Sequence, residues 1–186
     1  MLQRKAYEHL VKWKNTPDKK SLLITGARQI GKTYIIRKFA EENYSNFIEI
    51  NFITNPDAVK IFNGDLNAET ILINLTAYTQ KPLVKGDTLI FFDEIQECPS
   101  ARTAIKFLVD DGQFDYIESG SLLGVRYKEV KSYPVGYEEN YRMYPLDFEE
   151  FATANGIQPQ TIEYLRKCYD NKETVTEAVH QSLLKL

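Results

Sequence analysis

The run GARQIGKT at residues 26–33 constrains the fold of this chain more than any other feature. It matches the pattern G-x-x-x-x-G-K-[ST] at every fixed position, and that pattern forms a glycine-rich loop between a strand and a helix. Glycine lets the backbone curl so that successive N–H groups point at a phosphate, and the following helix adds the positive end of its dipole. The motif therefore predicts a strand, a phosphate-binding loop and a helix, in that order.

All eight residues of the loop are predicted to contact a nucleotide, and two of them have further roles. Lys32 is expected to reach the β- and γ-phosphates and to act in catalysis, while the Thr33 hydroxyl is expected to bind Mg²⁺. A glycine-rich turn ahead of an exposed helix is the alternative interpretation, and the apolar run before the loop disfavours it. The predicted nucleotide-binding residues are Gly26, Ala27, Arg28, Gln29, Ile30, Gly31, Lys32 and Thr33.

A pair of acidic residues, Asp93 and Glu94, directly follows the most apolar stretch of the chain, TLIFF at residues 88–92. A buried strand there would place both carboxylates at its carboxyl end, beside the phosphate loop. Asp93 is predicted to hold the Mg²⁺ ion, and Glu94 to act as the general base that activates the attacking water. Acid pairs also occur on solvated loops, so this prediction depends on the loop upstream.

Three polar residues near these strand ends are further candidates. Ser119 ends a predicted strand, where its hydroxyl would contact the γ-phosphate or orient the attacking water, and Ser121 is the alternative. A serine that only caps the turn at Gly120 is an equally good interpretation. Gln96 is expected either to position water or to lie on the surface.

An arginine supplied across a subunit interface can stabilise the charge of a phosphoryl-transfer transition state, by about 10³ to 10⁵ in rate. Arg126 lies between two predicted strands, where such a residue is expected, and it implies a homo-oligomer. Arg142 and Arg102 are less well placed. For each of the three, a solvated surface position is the competing interpretation.

Short apolar runs alternate with helical patterns along the chain, which predicts an α/β fold with a parallel sheet and helices on both of its faces. Ser100 is expected to cap one helix, which Gly112 ends, and Asp147 with Glu150 has the spacing of a capping box. The predicted strands are residues 21–25, 47–52, 88–92, 114–119 and 140–144. The predicted helices are residues 2–15, 32–42, 56–62, 68–79, 100–111, 161–169 and 175–184, with one more beginning at 147.

The composition of the chain indicates which broad class of protein it belongs to. With 186 residues, 43% of them hydrophobic and 26% charged, the chain is expected to form a compact domain in the cytoplasm, without a membrane span. The two cysteines, Cys98 and Cys168, lie far apart and have no metal-ligand spacing, so the sequence predicts neither a disulfide framework nor a zinc site. Residues 1–40 hold ten Lys or Arg and two acids, a charge of +8 against −3 for the whole chain, and this segment is either a solvated helix face or a nucleic-acid contact.

Four segments, in this order, resemble a family of prokaryotic AAA+ ATPases: GARQIGKT, TLIFFDEIQECP, ESGSLLGVR and MYPLDFEEF. The resemblance covers about the first 155 residues. It implies a P-loop NTPase three-layer sandwich with a mostly parallel five-stranded sheet in the order 5-1-4-3-2, with ATP and Mg²⁺ as ligands. In that family a C-terminal domain with a nuclease-like fold follows the ATPase domain.

The sequence therefore predicts an ATP-binding domain at residues 1–155 and a helical extension at 156–186, which we expect to begin a further domain of a longer protein. The leading functional hypothesis is Mg²⁺-dependent ATP hydrolysis that drives a conformational change in an attached domain or partner. The alternative is an ATP-dependent switch with slow turnover. A small-molecule kinase is disfavoured by the acid pair and by the lack of an arginine-rich lid, and a GTPase by the lack of an N-K-x-D motif.

Overall fold

A five-stranded parallel sheet forms the centre of the fold, which a computed structural model describes for residues 4–121 and 134–186. Its strands lie in the order β2-β3-β4-β1-β5, and every neighbouring pair is parallel. Read from the other edge, this is the order 5-1-4-3-2, so the predicted α/β fold and topology are confirmed. The strands are β1 Ser21–Gly26, β2 Asn46–Asn51, β3 Thr88–Asp93, β4 Asp115–Ser121 and β5 Glu138–Arg142.

Seven α-helices and two short 3-10 helices accompany this sheet within the described residues. The α-helices are α1 Lys5–Lys14, α2 Lys32–Asn43, α3 Ala68–Thr79, α4 Pro99–Asp111, α5 Phe148–Ala154, α6 Pro159–Asn171 and α7 Glu177–Leu183. The 3-10 helices are Pro56–Phe62 and Ile95–Glu97. The helix expected at 56–62 is thus a 3-10 helix.

The two faces of the sheet carry separate hydrophobic clusters, which makes the fold a three-layer sandwich. Leu22 and Ile24 of β1 pack with α1 and α2 on one face. Leu23 lies on the other face with residues of α3 and α4, because successive side chains of a strand point in opposite directions. Since β1 is buried on both faces, its continuous apolar sequence has a direct structural cause.

The start of α4 differs from the prediction. Cys98 is its N-cap and Pro99 its first residue, so Ser100 already lies inside the first turn and is not the cap. Proline suits this position because its fixed φ is compatible with a helix and its missing N–H would have no helical partner there. Gly112 ends the helix in the left-handed conformation, with φ +67°, as predicted.

The chain continues after β5 into the helices α5, α6 and α7. The capping box of α5 is present: Asp147 accepts from the Glu150 backbone N–H, and Glu150 accepts in return from the N–H of Asp147. Its neighbour α6 packs against α5 through a small cluster that includes Ala152 and Ile162. Among the described residues, no helix is both long enough and apolar enough to cross a membrane.

Candidate functional site

Polar residues end three neighbouring strands at one edge of the sheet. Asn51 ends β2 and lies opposite Asp93, which ends β3, while Ser121 of β4 lies opposite Gly26 at the end of β1. The carboxyl ends of parallel strands meet at the same edge, where ligands of open α/β sheets bind. The predicted loop and acid pair are therefore brought together, as the sequence indicated.

The loop at residues 26–33 connects β1 to α2, and the structure explains why glycine is needed at both of its glycine positions. Gly31 is the N-cap of α2 with φ +91°, a left-handed conformation that other residues adopt at a cost. At Gly26, an added Cβ would lie 2.4 Å from the carbonyl oxygen of Met143 and 2.7 Å from Cδ1 of Ile30. A side chain at position 26 would therefore push the chain beyond β5 away from the loop.

Lys32 folds back over the loop. Its ammonium group donates to the carbonyl oxygens of Ala27, at 2.8 Å, and Gly26, at 3.2 Å, and the residue is only 9% exposed. Burial lowers the pKa of Lys32, while the negative charges of Glu94 and Asp93 act in the opposite direction. The ammonium group of Lys32 is thus held inside the loop by two of the loop's own carbonyl groups.

Asp93 is buried and accepts four hydrogen bonds. One carboxylate oxygen, Oδ2, accepts from the Thr33 hydroxyl at 3.0 Å and from the Asn51 amide at 2.9 Å. The other, Oδ1, accepts from the Ser119 hydroxyl and from the backbone N–H of Glu94, the latter at 3.1 Å. These four donors fix the carboxylate beside Thr33, and the two residues predicted to bind a metal are in direct contact.

Glu94 follows in a left-handed backbone conformation, with φ +54°, which costs a non-glycine residue about 1 kcal/mol or more. The amide of Gln96 donates to the Glu94 carboxylate at 2.5 Å. Gln96 therefore contacts the predicted base itself, an arrangement that neither of its two predicted roles described.

Sequence reasoning missed Asn51. Its amide nitrogen donates to Asp93, while its side-chain oxygen accepts from the N–H groups of Ile53 and Thr54, each at 3.0 Å. It thereby joins the turn after β2 to the acid at the end of β3. The available signal was its position: an amide residue near the end of a predicted strand that neighbours the acid-bearing strand.

The three arginines have different surroundings. Arg126 lies outside the described residues, so its predicted role stays a prediction. Arg142 is exposed, and its guanidinium carbon lies 5.2 Å from the centre of the Tyr144 ring. For Arg102 the expected solvated position is wrong: it is 5% exposed and pairs with Glu138 at 3.0 Å, because its helix packs directly on the sheet.

A buried group of charged residues surrounds Arg102, and no motif in the sequence marks it. Glu118 of β4 is fully buried and accepts from the Ser21 hydroxyl at 3.1 Å. Burial and the neighbouring Glu138 raise the pKa of Glu118 to about 8, while Arg102 and the Ser21 hydrogen bond oppose the increase. Burial raises the pKa of Glu138 as well, while its ion pair with Arg102 opposes the increase. Of the two carboxyl groups, Glu138 is the one that lies 3.0 Å from the guanidinium, and the raised pKa of Glu118 favours its protonated form.

A cavity of about 520 Å³ lies next to the phosphate loop, between α1, α2 and the chain that follows β5. Gly31 lines it and so joins it to the loop. Most of the other lining is apolar or aromatic: Tyr7, Ile30, Tyr34, Met143, Pro145 and Leu146. The cavity therefore offers a mostly apolar surface directly beside the loop, with Arg4, Gln29 and Lys38 as its polar members.

Comparison with known proteins agrees with this geometry. A family model described as an AAA domain matches residues 18–152, which include the loop, all five strands and the acid pair. No curated protein matches the chain.

Proposed function

Since the chain belongs to the AAA domain family, we propose that it is an ATPase that binds ATP with Mg²⁺ at the loop of residues 26–33 and hydrolyses it. One observation supports this most: the hydroxyl of Thr33 lies 3.0 Å from the buried carboxylate of Asp93, with Glu94 as the next residue. We further propose that hydrolysis drives a conformational change in an attached domain or partner.

The residues at the sheet edge have the chemistry that Mg²⁺ requires. Thr33 and Asp93 present hydroxyl and carboxylate oxygens, the hard donors that this ion prefers, and Asn51 and Ser119 fix the carboxylate from behind. When bound there, Mg²⁺ would neutralise charge on the β- and γ-phosphates. We assign Thr33 and Asp93 as its protein ligands, directly or through water.

In this proposal, hydrolysis depends on three further side chains near the loop, those of Lys32, Glu94 and Ser119. Lys32 exchanges its two carbonyl partners for phosphate oxygens and so stabilises negative charge on them. Glu94 removes a proton from a water molecule as the water oxygen bonds to the γ-phosphorus, and the bond from that phosphorus to the bridging oxygen breaks. ADP leaves with the bonding electron pair. Ser119 acts in this assignment through Asp93, to which it donates.

The cavity beside the loop supports the proposal that the ligand is ATP, because it offers space for a nucleoside next to the loop that would hold the phosphates. Phosphates held by residues 26–33 would place the nucleoside near Gly31 and Tyr34, where the largely apolar lining accommodates a base. Replacement of Tyr34 by Ala should weaken ATP binding several-fold and leave binding of inorganic tripolyphosphate unchanged. Tyr78→Ala, which alters an exposed tyrosine of α3, is the matched control.

Steady-state ATP hydrolysis and direct ATP binding, both with Mg²⁺, test the central proposal. Lys32→Ala should abolish or severely weaken binding, because the phosphates lose their buried cation. Glu94→Gln should bind ATP and hydrolyse it roughly 10²-fold more slowly or worse, as expected for loss of a general base. Hydrolysis by Glu94→Gln at the parent rate would remove Glu94 from this role.

A second candidate, an ATP-dependent switch with slow turnover, is favoured by the hydrogen bond from Gln96 to Glu94. That contact occupies the carboxylate that would otherwise activate water. Gln96→Ala distinguishes the two: a switch restrained by this contact should hydrolyse ATP faster in the variant, whereas an ATPase that uses Gln96 to orient its base should become slower.

A further inference from the structure

Arg4, the N-cap residue of α1, joins three segments that are distant in the sequence. Its guanidinium donates to the Ile30 carbonyl at 3.2 Å, to the Tyr144 carbonyl at 2.7 Å and to the Glu150 carboxylate at 3.2 Å. The side chain is 11% exposed and that of Glu150 is 8% exposed. The three bonds use three different nitrogens of the rigid, planar guanidinium, whereas the three donors of a lysine share a single nitrogen.

The contact with Ile30 reaches the phosphate loop itself. A peptide group is planar and its C=O and N–H point in opposite directions. Because the Ile30 carbonyl is directed at Arg4, the N–H of Gly31 in the same peptide points away from Arg4. The loop binds phosphate through such N–H groups, so the bond from Arg4 fixes the direction of one of them.

The other two contacts connect Arg4 to a rigid support. Glu150 also accepts from the Lys5 backbone N–H at 2.8 Å and closes the capping box of α5 through Asp147. The chain around Tyr144 is held in place too, since the N–H of the preceding residue, Met143, donates to the Thr25 carbonyl at 2.7 Å. Arg4 thereby ties the loop peptide to the first turn of α5 and to the chain after β5.

We propose that Arg4 is a positioning residue for phosphate binding: it holds the Ile30–Gly31 peptide of the loop in its binding orientation, braced against Glu150 and Tyr144. This inference rests on the proposed function, because it concerns the same loop. It adds a residue that lies outside the loop motif.

Binding of Mg-ATP and of inorganic tripolyphosphate to Arg4→Lys and Arg4→Ala tests the proposal. Both ligands should bind about tenfold more weakly, and by the same factor, because the phosphate loop is what changes. The melting temperature of each variant without ligand shows whether it is folded, and Arg4→Lys serves if Arg4→Ala does not fold. Lys5→Ala is the matched control: it removes the ion pairs of the next residue with Asp147 and Glu149 and makes no loop contact, so its affinities should match the parent.

The outcomes separate this inference from the proposal beneath it. If the parent chain binds neither ligand, the proposed function fails and the role of Arg4 fails with it. If the parent binds both and the folded Arg4 variants bind tripolyphosphate as tightly as the parent, only the role of Arg4 is overturned. Weakened binding of ATP alone would also overturn it, because Arg4 would then act in the nucleoside cavity that it helps to line.

Discussion

Asn51 gives the site a contact that no sequence motif marks. It holds Asp93 at 2.9 Å and anchors the turn after β2 through two backbone N–H groups. Residues that orient a metal ligand in this way commonly contribute 10- to 100-fold to metal affinity or activity, so its loss should be measurable.

We expect Asn51→Ala to reduce ATP hydrolysis about tenfold or more, because Asp93 loses a donor and the neighbouring turn loses its anchor. The rate should be measured across a range of Mg²⁺ concentrations. Asn46→Ala is the control, since Asn46 lies at the opposite end of the same strand and donates to Thr88 and Pro82. Equal rates for the two variants would exclude Asn51 from the site.

Glu118 should make the stability of the fold depend on pH. Its pKa is raised to about 8 from a usual value near 4.5, mainly by burial. Between these values the folded chain keeps a proton that the unfolded chain has released, so the free energy of unfolding should fall as pH rises from about 4.5 to about 8. Glu118→Gln cannot ionise and should show a smaller fall.

Urea unfolding at several pH values between 5 and 8 measures this difference. Glu163→Gln is the control, because Glu163 is an exposed carboxylate of α6 and its removal should leave the slope unchanged. The same pH dependence in the parent and in Glu118→Gln would contradict a protonated Glu118.

At the scale of elements, β1 makes a close backbone contact with the chain after β5 at Gly26, where the loop begins. Gly26→Ala should destabilise the fold by about 1–3 kcal/mol, because the new Cβ meets a backbone carbonyl that cannot rotate away. It should also weaken ATP binding, since the loop and residue 143 must separate. A melting temperature equal to that of the parent would show that the junction relaxes without cost.

The sequence predicted strands well where the strand is buried on both faces of the sheet. The run TLIFF is apolar at every position because β3 is buried on both faces, and its strand was predicted from that pattern. The edge strand β5 begins with Glu138 and Glu139. Because charged residues are typical of loops, the prediction began this strand two residues too late. The start of α4 was misplaced because serine is a frequent cap, whereas here proline at the first position determines the start.

The residues of the candidate site also differ in how well the sequence predicted them. The loop and the acid pair follow from short-range motifs, which fix residue types at fixed spacing. Arg4 and the group around Glu118 follow from which segments the fold brings together, and that information is absent from any local pattern. Asn51 is intermediate, because its position near the end of a predicted strand was a partial signal. The division at residue 155 and the role of Arg126 stay predictions.

For the whole molecule, the basic first 40 residues acquire acidic partners from distant parts of the chain. Lys19 pairs with Asp115 at 3.1 Å, and Arg37 with Glu49 at 2.7 Å. Lys5 similarly pairs with Asp147 and Glu149. The excess charge along the sequence is thus partly balanced in space, which supports the interpretation of this segment as a helix face over that of a nucleic-acid contact.

The predicted role of Arg126 across a subunit interface is also tested at the scale of the whole molecule. If Arg126 acts across a subunit interface, Arg126→Ala should lower the ATPase rate per chain only at concentrations where the parent assembles. Rates and sedimentation should therefore be measured over the same concentration range. An equal loss at all concentrations would place Arg126 within its own site, and no loss would remove it from the mechanism.

The four hydrogen bonds to Asp93 also bear on motion. A carboxylate held by Thr33, Asn51, Ser119 and the N–H of Glu94 is restricted to a single rotamer, and any displacement breaks several bonds at once. The neighbouring Glu94 is only partly buried, and its carboxylate receives its hydrogen bond from the side chain of Gln96. Two adjacent acids therefore differ in conformational entropy: Asp93 is fixed from several sides, whereas Glu94 can move once a single side-chain contact breaks, which the proposed reaction with water would require.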